Sequence, residues 1–163
     1  MAGVLQSGSV SPGHPAVWVT TGVIGDGGYF PAGPRVLGRQ LGASFSTTTD
    51  QPILLPQTLT AMQLTGIIVT NASVSLTTAQ GGFYTQPSQG GQQLVPSSQI
   101  YVGLTSPSVL IMPTLTAYAT STRFTASILG PIGTQMAIFF SLTNAQAGGA
   151  TADIYVLGTD LSP

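Results

Sequence analysis

The segment Thr134-Gln-Met-Ala-Ile-Phe-Phe-Ser-Leu-Thr-Asn-Ala-Gln-Ala-Gly-Gly-Ala-Thr-Ala-Asp-Ile-Tyr-Val-Leu-Gly-Thr-Asp160 decides the fold. Apolar residues take every second place in its first half, at Met136, Ile138, Phe140 and Leu142, and again at Ile154 and Val156. That is the period of a strand with one buried face. Between the two runs, Asn144 to Gly149 is small, polar and glycine-containing, the composition that supplies positive φ at a turn. The segment reads as a β-hairpin. An earlier stretch, Ser75-Leu-Thr-Thr-Ala-Gln-Gly-Gly82, nearly repeats Ser141-Leu-Thr-Asn-Ala-Gln-Ala-Gly-Gly149. A second copy of the hairpin is therefore expected, with strands at Ala72–Thr78 and Phe83–Thr85 and its turn at Ala79–Gly82.

Working outward, Phe124, Ala126 and Ile128 mark a strand that ends at Gly130-Pro131, and Val109–Met112 marks one stopped by Pro113. Ile100, Val102 and Leu104 alternate with Tyr101 and Gly103, another strand pattern. Ile67–Val69 reads as a buried strand; Gln57–Leu64 fits either a helical turn or a strand, and Thr114–Thr120 is ambiguous. Between Tyr29 and Pro56 the prolines at 31, 34, 52 and 56 remove ladder donors, so surface loops with short edge strands are expected. Ala16–Thr20 and Val23–Gly28 form a small hairpin around Thr21-Gly22, preceded by a small, polar N-terminal arm. The total is about nine to eleven short strands and at most one helical turn, which is an all-β, antiparallel β-sandwich. A jelly-roll-like order is the expected topology, and an immunoglobulin-like sandwich without its usual cysteine pair is the second. Residues 1–28 form the arm and hairpin, and residues 29–163 a single sandwich domain.

Charge is scarce: only 4% of the 163 residues are Asp, Glu, Lys or Arg, against roughly 25% in ordinary soluble proteins. They are Arg35, Arg39, Arg123, Asp26, Asp50, Asp153 and Asp160, with no lysine and no glutamate. At 16.6 kDa a folded monomer has about 7,600 Å² of surface, so roughly one charge per 1,000 Å². A surface so poor in charge, with net charge −1, is protected from association only weakly. Coverage by neighbours in a larger assembly resolves this. Three cations are too few for ordinary phosphate recognition, so no nucleic acid is expected. No apolar run approaches about 20 residues, so no membrane span is expected, and the N-terminus lacks the pattern of a secretory signal.

The order Ser7-Gly-Ser-Val-Ser-Pro-Gly-His14, then Trp18-Val-Thr-Thr-Gly-Val-Ile24, then Asp26-Gly-Gly28 resembles the opening of structural proteins of tailed bacteriophages and prophages. In that pattern a Thr-Pro-Gly-His turn, a Trp-Thr-Thr strand and an Asp-Gly segment follow one another. Ser11 stands here where Thr is usual, and Gly22 lacks a preceding Asp. Ser75 to Tyr84 and Asn144 to Gly158 also resemble such virion proteins. The resemblance implies a capsid decoration or cement subunit, or alternatively a trimeric head- or tail-fibre component. It also implies the major capsid protein or other virion proteins and further copies of the chain as partners, and the phage particle, with the head as the expected part, as the location.

No catalytic constellation is present. His14 is the only histidine and there is no cysteine, so a zinc set, or a Ser-His-Asp triad drawn from the arm, is not expected; neither metal nor cofactor is called for. Asp26 among its glycines lacks the further acidic ligands of a calcium loop. His14 is assigned a turn or interface role. Trp18, Tyr29, Phe30 and Tyr101 are aromatics available to face outward, in competition with ordinary core packing, and exposed ones would suit a partner or a sugar. Arg35 and Arg39 are the best candidates for a directed polar contact. The expected interface set is thus His14, Trp18, Arg35, Arg39 and Tyr101, and a carbohydrate-binding sandwich is the reading from another class.

Overall fold

The computed structural model describes residues 33–163 throughout and, before them, the backbone of three short strands. Chain contacts separate Met1–Ala32 from Gly33–Pro163, a boundary slightly beyond the expected one at Gly28. In the first unit β1 (Leu5–Gln6), β2 (Ala16–Thr20) and β3 (Val23–Asp26) lie in the order β1-β3-β2. The expected small hairpin is there, with Trp18 opposite Ile24, and β1 adds to it in parallel.

The second unit contains β4 (Arg35–Ser44), β5 (Gln51–Leu54), β6 (Ala61–Thr70), β7 (Gln80–Gln86), β8 (Gly90–Val95), β9 (Leu110–Ile111), α1 (Ala117–Ser121), β10 (Arg123–Thr125), β11 (Pro131–Ile132), β12 (Gln135–Asn144) and β13 (Thr151–Asp160). Two antiparallel sheets face each other. Sheet I runs β10-β6-β13-β4, with β9 on the far end of β6. Sheet II runs β5-β12-β7-β8, with β11 on the first residues of β12. The pairs nest from the chain ends inward: β4 with β13, β5 with β12, β6 with β9 and β10, β7 with β8. A long antiparallel ribbon rolled so that β13 also meets β6, and β12 also meets β7, is a jelly roll. The short helix interrupts the ribbon between β9 and β10; Thr116 caps it, its hydroxyl accepting from Ala119 N at 3.2 Å.

The arms of the expected Thr134–Asp160 hairpin are both strands, but they do not pair with each other. β12 belongs to sheet II and β13 to sheet I, and the connector crosses the core edge as an arch. Phe45 clamps it, donating its N–H to Ala150 O at 2.8 Å and accepting from Gln146 N at 2.7 Å. Alternation specifies a strand and its buried face, not its partner, so an arch between facing sheets and a hairpin within one sheet carry the same pattern.

The expected second hairpin is likewise corrected. Gly81 and Gly82 sit inside β7, not at a turn, and pair with Leu142 and Ser141 of β12. Only the end of the first segment, Gln80–Gly82, meets the start of the second, Ser141–Asn144, in sheet II. A Cβ on Gly81 would lie 2.4 Å from Leu142 Cα, and one on Gly82 would lie 2.4 Å from Val95 O. Space, not turn geometry, requires glycine at these two places. The loops expected over Tyr29–Pro56 are corrected too: Arg35–Ser44 is a ten-residue strand, while Pro52 lies on the short edge strand β5.

Between the sheets lies one apolar core in which Phe45, Phe83, Tyr101 and Phe140 form its aromatic centre. Phe140 is 4.9 Å from Phe45 and 5.0 Å from Phe83 between ring centroids, and Tyr101 meets Phe45 edge-on at 5.1 Å. The sequence 100–104 is a turn rather than a strand, closed by Leu104 N to Tyr101 O, and this turn sends Tyr101 inward while Ile100 and Val102 stay exposed.

Candidate interaction face

The outer faces of the two sheets differ. On sheet II the outward residues Tyr84, Ala137, Phe139 and Ser141 are all at most 2% exposed. The chain's own turns cover them: Gln89 Nε2 donates to Ser141 Oγ at 3.2 Å, Ser88 N donates to the Asp50 carboxylate, and Gly130 lies against Phe139. Ser88 and Gln89 accept left-handed backbone to make this turn, with φ of 58° and 55°.

Among the described residues sheet I carries no such cover. Its inward rows, such as Val69/Ile154, are buried, and the alternate rows face out. One outward row is Ile68, Tyr155 and Arg39; the next is Gly66, Leu157 and Val36. Gly66 leaves a dimple, and the Met112 and Leu157 side chains lie over it, 3.3 and 3.6 Å from where a Cβ would stand. Val36, Leu110 and Met112 are 53%, 56% and 57% exposed. The result is an apolar stripe crossing four strands, flanked by Thr70, Asp153, Gln63 and Thr159. It continues round the β4 edge into an open hollow of about 420 Å³ lined by Val36, Arg39, Leu54, Pro56 and Gln135 among others. Among the described residues the outer edge of β4 has no strand partner.

All three arginines of the chain lie on sheet I, Arg35 and Arg39 on β4 and Arg123 on β10. Arg35 is spent: it reaches Asp160 at 2.6 Å. Arg39 and Arg123 are exposed and, among the described residues, neither forms an ion pair; Arg123 donates to Leu161 O at 3.4 Å. The acids of this sheet are engaged, Asp153 by Gly42 N and Asn71 Nδ2, Asp160 by Arg35 and Ser162 N.

Burial works to raise the Asp160 carboxyl, but the Ser162 hydrogen bonds and the Arg35 charge outweigh it and hold the group below its ordinary value. A depressed folded value contributes stability that is fully present above the unfolded pKa and lost as pH falls through the folded one. Thermal melts of wild type and Asp160→Asn should therefore keep a constant offset above about pH 5 and converge below about pH 4. Parallel curves down to about pH 2 would contradict the assignment.

Of the five residues expected at an interface, Arg35 and Arg39 share one strand of this face, in a strand and not in a loop. Tyr101 is corrected: it is 0% exposed, its hydroxyl donating to Gly81 O at 3.3 Å, and burial pushes that hydroxyl well above its ordinary pKa. His14 lies outside the described residues, and Trp18 is described only as backbone in β2. Sequence reasoning missed Ile68, Met112, Tyr155 and Arg123. The signal was present for Arg123, since it precedes the buried Phe124 and must face the other way on a strand. Among the described residues no three His, Cys, Asp or Glu side chains gather to hold a metal, and no helix is long and apolar enough to cross a membrane. Comparison with protein-family models, with curated proteins and with solved structures returns no match.

Proposed function

We infer that the protein is a structural component of a phage particle, a capsid decoration or cement subunit, bound through many weak contacts with the coat or other virion proteins and with its own copies. The observation that carries this reading is the bare apolar face of sheet I on a chain with 4% charged residues. Such a face is poorly suited to free solution, and its Tyr, Met and Arg are residue types enriched at interfaces. The unpaired β4 edge adds a second mode, strand addition through main-chain hydrogen bonds. Repetition over a shell turns modest contacts into lasting attachment. The resemblance of the N-terminal segment to phage structural proteins points the same way, with residues 1–28 as a tether.

Quantitative mass spectrometry of purified particles tests this. The expected result is many copies per particle; a few copies would favour the fibre alternative, and absence from the particle would refute both. The carbohydrate-binding reading loses Tyr101, whose ring is part of the core.

A further inference from the structure

We propose that the bare face of sheet I docks on a protein surface of complementary character, an apolar patch flanked by two carboxylates that pair with Arg39 and Arg123. This rests on the assembly role above and names the partner's chemistry. The apolar stripe runs between the two arginines. Arg39 stands opposite Tyr155 and Arg123 opposite Gln63, which is itself opposite Thr159, so the guanidinium-bearing positions are four residues apart along β13 and lie on the first and fourth strands. With about 3.3 Å per residue and about 4.8 Å per strand, they are about 20 Å apart. That spacing fits the rim of a standard interface, with Met112, Tyr155, Leu157 and Ile68 at its centre.

The occupant is not a second copy seated face to face. The carboxylates that such a face offers, Asp153 and Asp160, already serve Gly42, Asn71, Arg35 and Ser162. Two copies would bring four arginines that, among the described residues, form no ion pair against two Asp153 carboxylates, whose described donors are neutral, so half of the cations would be left unmatched. Nor is it a nucleic acid, since two cations separated by an apolar stripe cannot follow a phosphate backbone.

The chain contains no lysine, which makes a selective test possible. Arg39→Lys and Arg123→Lys each place a single side-chain amine at one end of the stripe. Purified particles carrying either variant are treated with a zero-length carbodiimide, which joins an amine to a carboxylate in direct contact, and the adducts are sequenced by mass spectrometry. The expected result is an amide from each position to an Asp or Glu of another virion protein, absent in wild type. In parallel, the double variant Arg39→Glu/Arg123→Glu should bind particles about tenfold less. Adducts only to another copy of this chain would overturn the proposal in favour of self-association. No adduct from either position, in variants that still enter particles, would overturn it while leaving the assembly role standing. Wild-type protein missing from particles would instead refute the role on which it rests.

Discussion

Phe140→Ala is expected to cost about 3–5 kcal/mol, the range for removing a large aromatic from a filled core. Its ring sits where both sheets meet, against Phe45, Phe83 and Tyr101, and it is 0% exposed. Its neighbours are themselves engaged, Tyr101 through its hydroxyl to Gly81 O and edge-on against Phe45 at 5.1 Å, so filling the vacancy would cost contacts elsewhere. A loss of that size is a large fraction of the roughly 5–15 kcal/mol that keeps a typical domain folded. Urea denaturation followed by Trp and Tyr fluorescence measures it. A loss under about 1 kcal/mol would mean that the sheets do not meet at Phe140.

Gly81→Ala is the second large effect, expected at about 3 kcal/mol, the upper end of ordinary overpacking. The added methyl would stand 2.4 Å from Leu142 Cα and 2.4 Å from Ser141 O, both main-chain atoms of the neighbouring strand. A flexible side chain could yield; a paired strand cannot without breaking the β7–β12 ladder. Gly33, whose added Cβ meets nothing within 4 Å, is the control, with Gly33→Ala expected within about 0.5 kcal/mol of wild type. The result separates the sheet position from the turn position that the sequence suggested. Gly81 is not among the glycines with positive φ, so only crowding can make alanine costly there.

The strand content of the chain was legible because binary alternation is local. Met136, Ile138, Phe140 and Leu142 do face the core, as do Ile154 and Val156. What alternation could not convey was partnership. The similarity of Ser75–Gly82 to Ser141–Gly149 does not reflect one hairpin used twice: only Gln80–Gly82 and Ser141–Asn144 meet, across β7 and β12. Arg35 and Arg39 were expected in a loop, because the prolines around them hid a ten-residue edge strand. Tyr101 was misjudged because strand alternation sets it opposite Ile100, Val102 and Leu104, whereas a turn buries Tyr101 and Leu104 together and leaves Ile100 and Val102 exposed. The face itself was not legible: Met112, Tyr155, Ile68 and Arg123 come from four separate strand regions that only the rolled topology brings onto one surface.

The absence of cysteine offers the most direct measurement of whether this face is the one covered in the assembly. Single variants Met112→Cys, on the stripe, and Ser98→Cys, on an exposed loop away from sheet I, can each be labelled with a maleimide in free protein and in particles. Both are expected to label at similar rates in the free protein, and only the cysteine at position 112 to become at least about tenfold slower in the particle, as for a well-packed interface centre. Equal labelling at position 112 in the two states would show that the apolar face of sheet I is not the surface by which the protein is held.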